Sequence, residues 1–77
     1  MVAHHSTRMS TALNAILIHA AELLESEAAI IRECHTVDGE WFSEEDEPAR
    51  VAYQDMMETA RDLRELARAN TDTAACS

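Results

Sequence analysis

The stretch LNAILIHAAELLESEAAIIRECH, residues 13–35, decides the fold. Advanced at about 100° per residue from Leu13, its apolar side chains fill an arc from Ile30 at about 260° to Ala21 at about 80°, roughly 180° in all. A helix packed against one neighbour needs only about 100°. Read as heptads, the arc holds two adjoining seams. The first is Leu13, Ile16, Ala20, Leu23, Glu27, Ile30 and Cys34; the second is Leu17, Ala21, Leu24, Ala28, Ile31 and His35. One returning helix covers one seam and leaves the other as an apolar patch of a size that soluble monomers rarely carry. The expected architecture is therefore all-α: an antiparallel two-helix hairpin, dimerising into a four-helix bundle. A different chain supplying the missing surface would meet the same physical need.

Outward from this stretch, the first helix is expected over about residues 7–36, opened by Ser6 or Ser10 as a cap. At 1.5 Å per residue it would be about 45 Å long. Val37-Asp38-Gly39 ends it, with Gly39 as a left-handed C-cap. A small hairpin at Asp38-Gly39 is the alternative, one without supporting strands. After a connection over about 37–46, the second helix is expected over about 47–69. Ser43 or Asp46 can cap it, and the acids Glu44, Glu45 and Glu47 with Pro48 suit its first turn. Its apolar positions include Tyr53, Met56, Ala60, Leu63 and Leu66, and Arg64 and Arg68 suit its C-terminal end. Residues 70–77 are small and polar and are expected to fray. The whole, 1–77, reads as a single domain.

Of the 77 residues, 15 are acidic and 6 are basic, giving a formal net charge of −9. Affinity for phosphate backbones comes from clustered cations, so direct binding of nucleic acid is not expected. A chain this short buries only about 60 % of its unfolded surface, so a self-sufficient monomer would be marginal. It is too small for a cofactor domain; no cofactor, metal or enzymatic activity is expected. Cys34 falls on the apolar face and Cys76 one residue from the C-terminus. One buried and one loose thiol suit a reduced, cytoplasmic protein. The apolar run 12–24 is broken by Asn14, His19 and Glu22, which fits neither a signal peptide nor a membrane span.

Several residues invite a sharper reading. Glu27 is a carboxylate inside the first seam. It is expected to pair with an arginine of the second helix or to reach solvent near a symmetry axis, the alternative being a buried acid that sets register or titrates. Glu27→Leu should then keep or raise the melting temperature while loosening oligomer specificity. Trp41 and Phe42 stand together in the connection. One or both would plug the end of the bundle, or anchor a protein partner, and Tyr53 at the edge of the second helix suits either role. Arg50, Arg61, Arg64 and Arg68 occupy one flank of the second helix; Asp55, Glu58, Asp62 and Glu65 occupy the other. They would form surface pairs worth a few tenths of a kcal/mol each, or the arginines would dock an acidic partner. Of the histidines, His4 and His5 lie near the N-terminus, His19 lies on a helix flank, and His35 in the last turn suits the helix dipole. Cys34 and His35 point about 100° apart and cannot chelate one ion, nor does a third group orient them as a nucleophile.

AELLESEAAIIRECHTVDGEWF (residues 21–42) followed by EPARVAYQDMMETARDLRELA (47–67) resembles the small helical-hairpin proteins encoded by phages and proteobacterial accessory regions. Phage quorum-sensing anti-activators are similar in format. The resemblance implies a dimeric hairpin that inhibits or regulates a host protein by binding it, and it assigns no individual residue a role. The expected partners are a second copy and a host protein, with no membrane. Two other readings use the same composition: an acidic nucleic-acid mimic drawing on Glu22, Glu25, Glu33 and the 44–47 cluster, and a structural assembly subunit.

Overall fold

The computed structural model describes the backbone of residues 2–42 and 44–76, and the side chains of 11–42 and 44–71. Two long helices, α1 (Val2–His35) and α2 (Glu47–Cys76), pack antiparallel as a hairpin. Gly39 and Pro48 are the chain's single glycine and proline, so nothing within residues 2–35 breaks the first helix. The result is a rod 57 × 18 × 15 Å, the thickness of two helices laid side by side. Both helices exceed the expected bounds: α1 starts before Ser6 and Ser10, and α2 runs past residue 69 into the stretch expected to fray. Near the open end, the Nδ2 of Asn14 donates to the Oγ1 of Thr71 at 2.8 Å, and that hydroxyl donates back to the carbonyl of Ala67 at 2.9 Å.

The connection departs from the C-cap reading of Gly39. Helix α1 stops at His35, with the Thr36 hydroxyl donating to the Arg32 carbonyl at 2.6 Å. A two-stranded ribbon follows, β1 (Thr36–Val37) and β2 (Glu40–Trp41), with Thr36 opposite Trp41 and Val37 opposite Glu40. Asp38 (φ 54°) and Gly39 (φ 84°) form the turn. Positive φ at both central residues is what a two-residue hairpin of right-handed twist requires, and Asp-Gly is among the pairs that supply it. Packing at the end of the rod replaces the supporting strands such a ribbon ordinarily needs. A methyl group added at Gly39 would meet the Nη2 of Arg32 at 3.8 Å, an ordinary contact, so the backbone alone sets the cost of substitution. Gly39→Ala is expected to lower stability by about 1–2 kcal/mol in urea melts, and Asp38→Asn to leave it near the parent value.

A single 3₁₀ turn, Glu44–Asp46, leads into α2. Asp46 does not act there as a free cap: its Oδ1 lies 2.6 Å from the Nδ1 of His35, fastening the start of α2 to the end of α1. Ser43, the other cap candidate, lies outside the described residues.

The core lies in the second seam and is thin. Leu17, Ala21, Ala28, Ala60 and Ala67 are buried, and among the described residues no large side chain is fully enclosed. Alanines on both helices let the backbones approach closely, but each methyl contributes only about 0.8 kcal/mol of burial. Ordering each residue's backbone costs about 1–2 kcal/mol. Leu24, Ile31, Met56 and Leu63 add half-buried surface around this alanine line.

Candidate protein-interaction surface

The first seam lies open. Leu13 is 48 % exposed, Ile16 63 %, Leu23 59 % and Ile30 55 %, with Ala20 half-buried between them. Glu27, in the same line, is exposed and has no ion pair among the described residues. Cys34 is also exposed, which corrects the expectation of a buried thiol: it ends a seam that the returning helix does not cover.

The geometry of the two helices divides the rod into unlike sides. Bidentate hydrogen bonds from Arg64 to Glu25, at 2.9 and 2.7 Å, mark one side. Measured around α1, Glu25 stands about 60° from the buried line of Leu17, Ala21 and Ala28, while Ile16, Leu23 and Ile30 stand about 120–160° away in the opposite sense. Around α2, Arg64 stands on one side of Ala60 and Ala67, and Met56, Leu63 and Leu66 on the other. Ile16, Leu23 and Ile30 of α1 therefore share a side with Met56, Leu63 and Leu66 of α2, where Leu66 is 56 % exposed, while Ile18 and Met57 lie on the other. Leu66 extends the expected surface onto α2; its place among the apolar positions of the second helix was the signal.

The other side is charged. Arg50 hydrogen-bonds Glu47, and Arg61 lies 3.9 Å from Asp62. Arg61, Arg64 and Arg68 line a groove of about 600 Å³ together with Glu25, Met57, Glu58 and Glu65. The expected separation into an arginine flank and an acid flank is thus incomplete, because Glu58 and Glu65 share the arginine groove. Hydrogen bonding to Arg64 holds the Glu25 carboxyl below its ordinary pKa, and Arg50 does the same for Glu47. A lowered folded-state pKa stabilises above the ordinary carboxylate range and ceases to as pH falls through the lowered value. Glu25→Gln is therefore expected to show a small melting-temperature deficit at neutral pH that closes on acidification. Arg64 is exposed and Glu25 only half-buried, so solvent screening keeps the effect small.

At the tip, the adjacent aromatics part company. Trp41 is half-buried, its ring 5.6 Å from that of Tyr53 at 58°, and the Arg32 guanidinium lies 6.0 Å from the Tyr53 ring centre. Phe42 is 73 % exposed, and Val37 on the facing strand is exposed as well. Neighbours on an extended segment point to opposite sides, so one ring closes the rod and the next is presented outward. The Phe42 amide donates to the His35 carbonyl at 3.2 Å, which fixes its position. Trp41→Ala is expected to cost about 1–3 kcal/mol in thermal melts, whereas Phe42→Ala should stay within about 0.5 kcal/mol.

Among the described residues no group of three His, Cys, Asp or Glu side chains is placed to hold a metal ion. Nor is any described helix long and apolar enough to cross a membrane. His4, His5 and Cys76 have side chains outside the described set. No protein-family model, curated protein or solved structure matches the chain.

Proposed function

We propose that this chain is a non-enzymatic protein-binding module: a helical hairpin that pairs with a second copy into a four-helix bundle and presents its tip to a target protein. The observation that carries the reading is the apolar side of the rod, where Leu13, Ile16, Leu23 and Ile30 stand outside a core of Leu17 and four alanines. Soluble monomers rarely leave a line of large apolar side chains open in this way, and such a surface marks a site of protein contact. With that side occupied, Phe42 and the Arg61–Arg68 groove remain to meet a target. An exposed aromatic is a good anchor, and a charged flank adds specificity and association rate. The format suits a small inhibitor or regulator, of phage or mobile-element origin, acting on a host protein in the cytoplasm.

The test compares the parent chain with Phe42→Ala in binding a host protein recovered at fixed stoichiometry. Retained self-association with lost target binding supports the reading. Target binding that ignores Phe42 and fades steeply with salt supports the acidic-mimic alternative, since screening weakens exposed charge pairs far more than apolar contacts.

A further inference from the structure

The open seam of α1 repeats every seven residues in two registers: Leu13, Ala20, Glu27 and Cys34 in one, Ile16, Leu23 and Ile30 in the other. The second register is large and apolar throughout, as in a helix that pairs with another along its length, while the first holds one large apolar residue, Leu13, followed by Ala20, Glu27 and Cys34. We infer that the occupant is α1 of a second copy, running antiparallel about a two-fold axis between Ala21 and Glu22. This inference rests on the protein-binding reading above and adds its geometry.

In this register Leu13 meets Ile30 of the second copy, Ile16 meets Glu27, and Ala20 meets Leu23; the two-fold axis repeats each layer. Three features of the chain favour it. The first is size: the half-exposed Leu23 is received by the small Ala20, whereas a parallel pairing would set Ala20 on Ala20 and leave a gap. The second is charge. A parallel pairing would set Glu27 on Glu27 inside the seam, while the antiparallel one puts each Glu27 against an apolar residue, with His19 of the second copy about one turn away. Along the outer rim Glu33 falls near Ala12 and His19 near Ser26, so no like charges face each other. The third is extent. A seam from Leu13 to Cys34 is about 32 Å long. Taken across the whole 18 Å face of the hairpin, so that Leu63 and Leu66 of α2 join the α1 seam in the contact, this gives roughly 600 Å² per copy, about 1,200 Å² in all, at the lower bound of stable specific interfaces. The inner rim, Leu17, Leu24 and Ile31, already faces α2, so the new contact continues the hairpin core.

Two measurements on the full chain test this. Spin labels are placed at Glu22→Cys or at Glu33→Cys, each with Cys34 and Cys76 replaced by Ser. The antiparallel register separates the Glu33 sites by about 23 residues along the axis, roughly 35 Å, and brings the Glu22 sites within about 20 Å of each other. In parallel, Ala20→Leu overfills the Leu23 layer and is expected to weaken self-association at least tenfold. A dimer with short, equal distances at both sites, strengthened by Ala20→Leu, overturns the antiparallel register and leaves the binding-module reading intact. A chain that stays single but binds another protein through the same strip overturns the pairing alone. A chain that stays folded and single and binds nothing overturns both.

Discussion

A Leu23→Glu chain is expected to sediment as a single copy at concentrations where the parent chain is paired, its dissociation constant raised at least a hundredfold. The argument starts from exposure. At 59 % exposed, Leu23 contributes little to the contact between α1 and α2, so the substitution leaves the hairpin's own packing in place. In a symmetric pair, however, it acts twice. Burying a leucine fully is worth about 1.5–3 kcal/mol, and Leu23 has 59 % of its surface left to bury, so two lost burials come to about 2–3.5 kcal/mol, against about 2.7 kcal/mol for a hundredfold change in affinity. A carboxylate in the seam adds to this, because it must be desolvated or exclude the partner. The same chain is expected to melt at a lower temperature, and at one no longer dependent on concentration, since a partner that binds only the folded form stabilises by mass action.

The second large effect is on the hairpin itself. Ala28→Leu is expected to lower stability by about 2–3 kcal/mol and the melting temperature by about 10–20 °C. Ala28 is fully buried, and together with Ala21, Ala60 and Ala67 it sets how closely the two backbones lie. Three added carbons have no space there unless α1 and α2 move apart, and separation would strain the Arg64–Glu25 pair and loosen Leu17. Ala15→Leu makes the same chemical change on the exposed side of the same helix and is expected to stay within about 0.5 kcal/mol. Equal effects at the two positions would mean that the alanine line does not set the helix spacing.

The two-seam pattern of residues 13–35 is legible in the sequence, because a helix advances by a fixed angle and the apolar arc is too wide for one neighbour. Which seam the returning helix takes was harder to read, since both are rich in Leu and Ile. The distinguishing signal was size. Ala21 and Ala28 stand seven apart, as do Ala60 and Ala67, and small residues at matching spacing allow the closest approach. The end of α2 lies beyond the expected residue 69, because a small, polar stretch reads as frayed and Arg64 and Arg68 suit a C-terminus. In the fold Arg64 is engaged across the hairpin with Glu25, and the helix continues into the tail. The tip held its answer in Asp38-Gly39. Reading that pair as a hairpin turn puts Trp41 on an extended segment and separates the buried ring from the exposed one. Asp46 reads in the sequence as a helix cap, and its hydrogen bond to His35 depends on a chain reversal that no local spacing reveals.

Sedimentation equilibrium over a roughly hundredfold range of concentration, read beside the thermal midpoint at each, probes most directly whether the open side of the rod needs a protein cover. The expected result is a mass of two chains at the upper end, with a midpoint that rises with concentration. A fully helical chain of single mass throughout, melting at one fixed temperature, would contradict it.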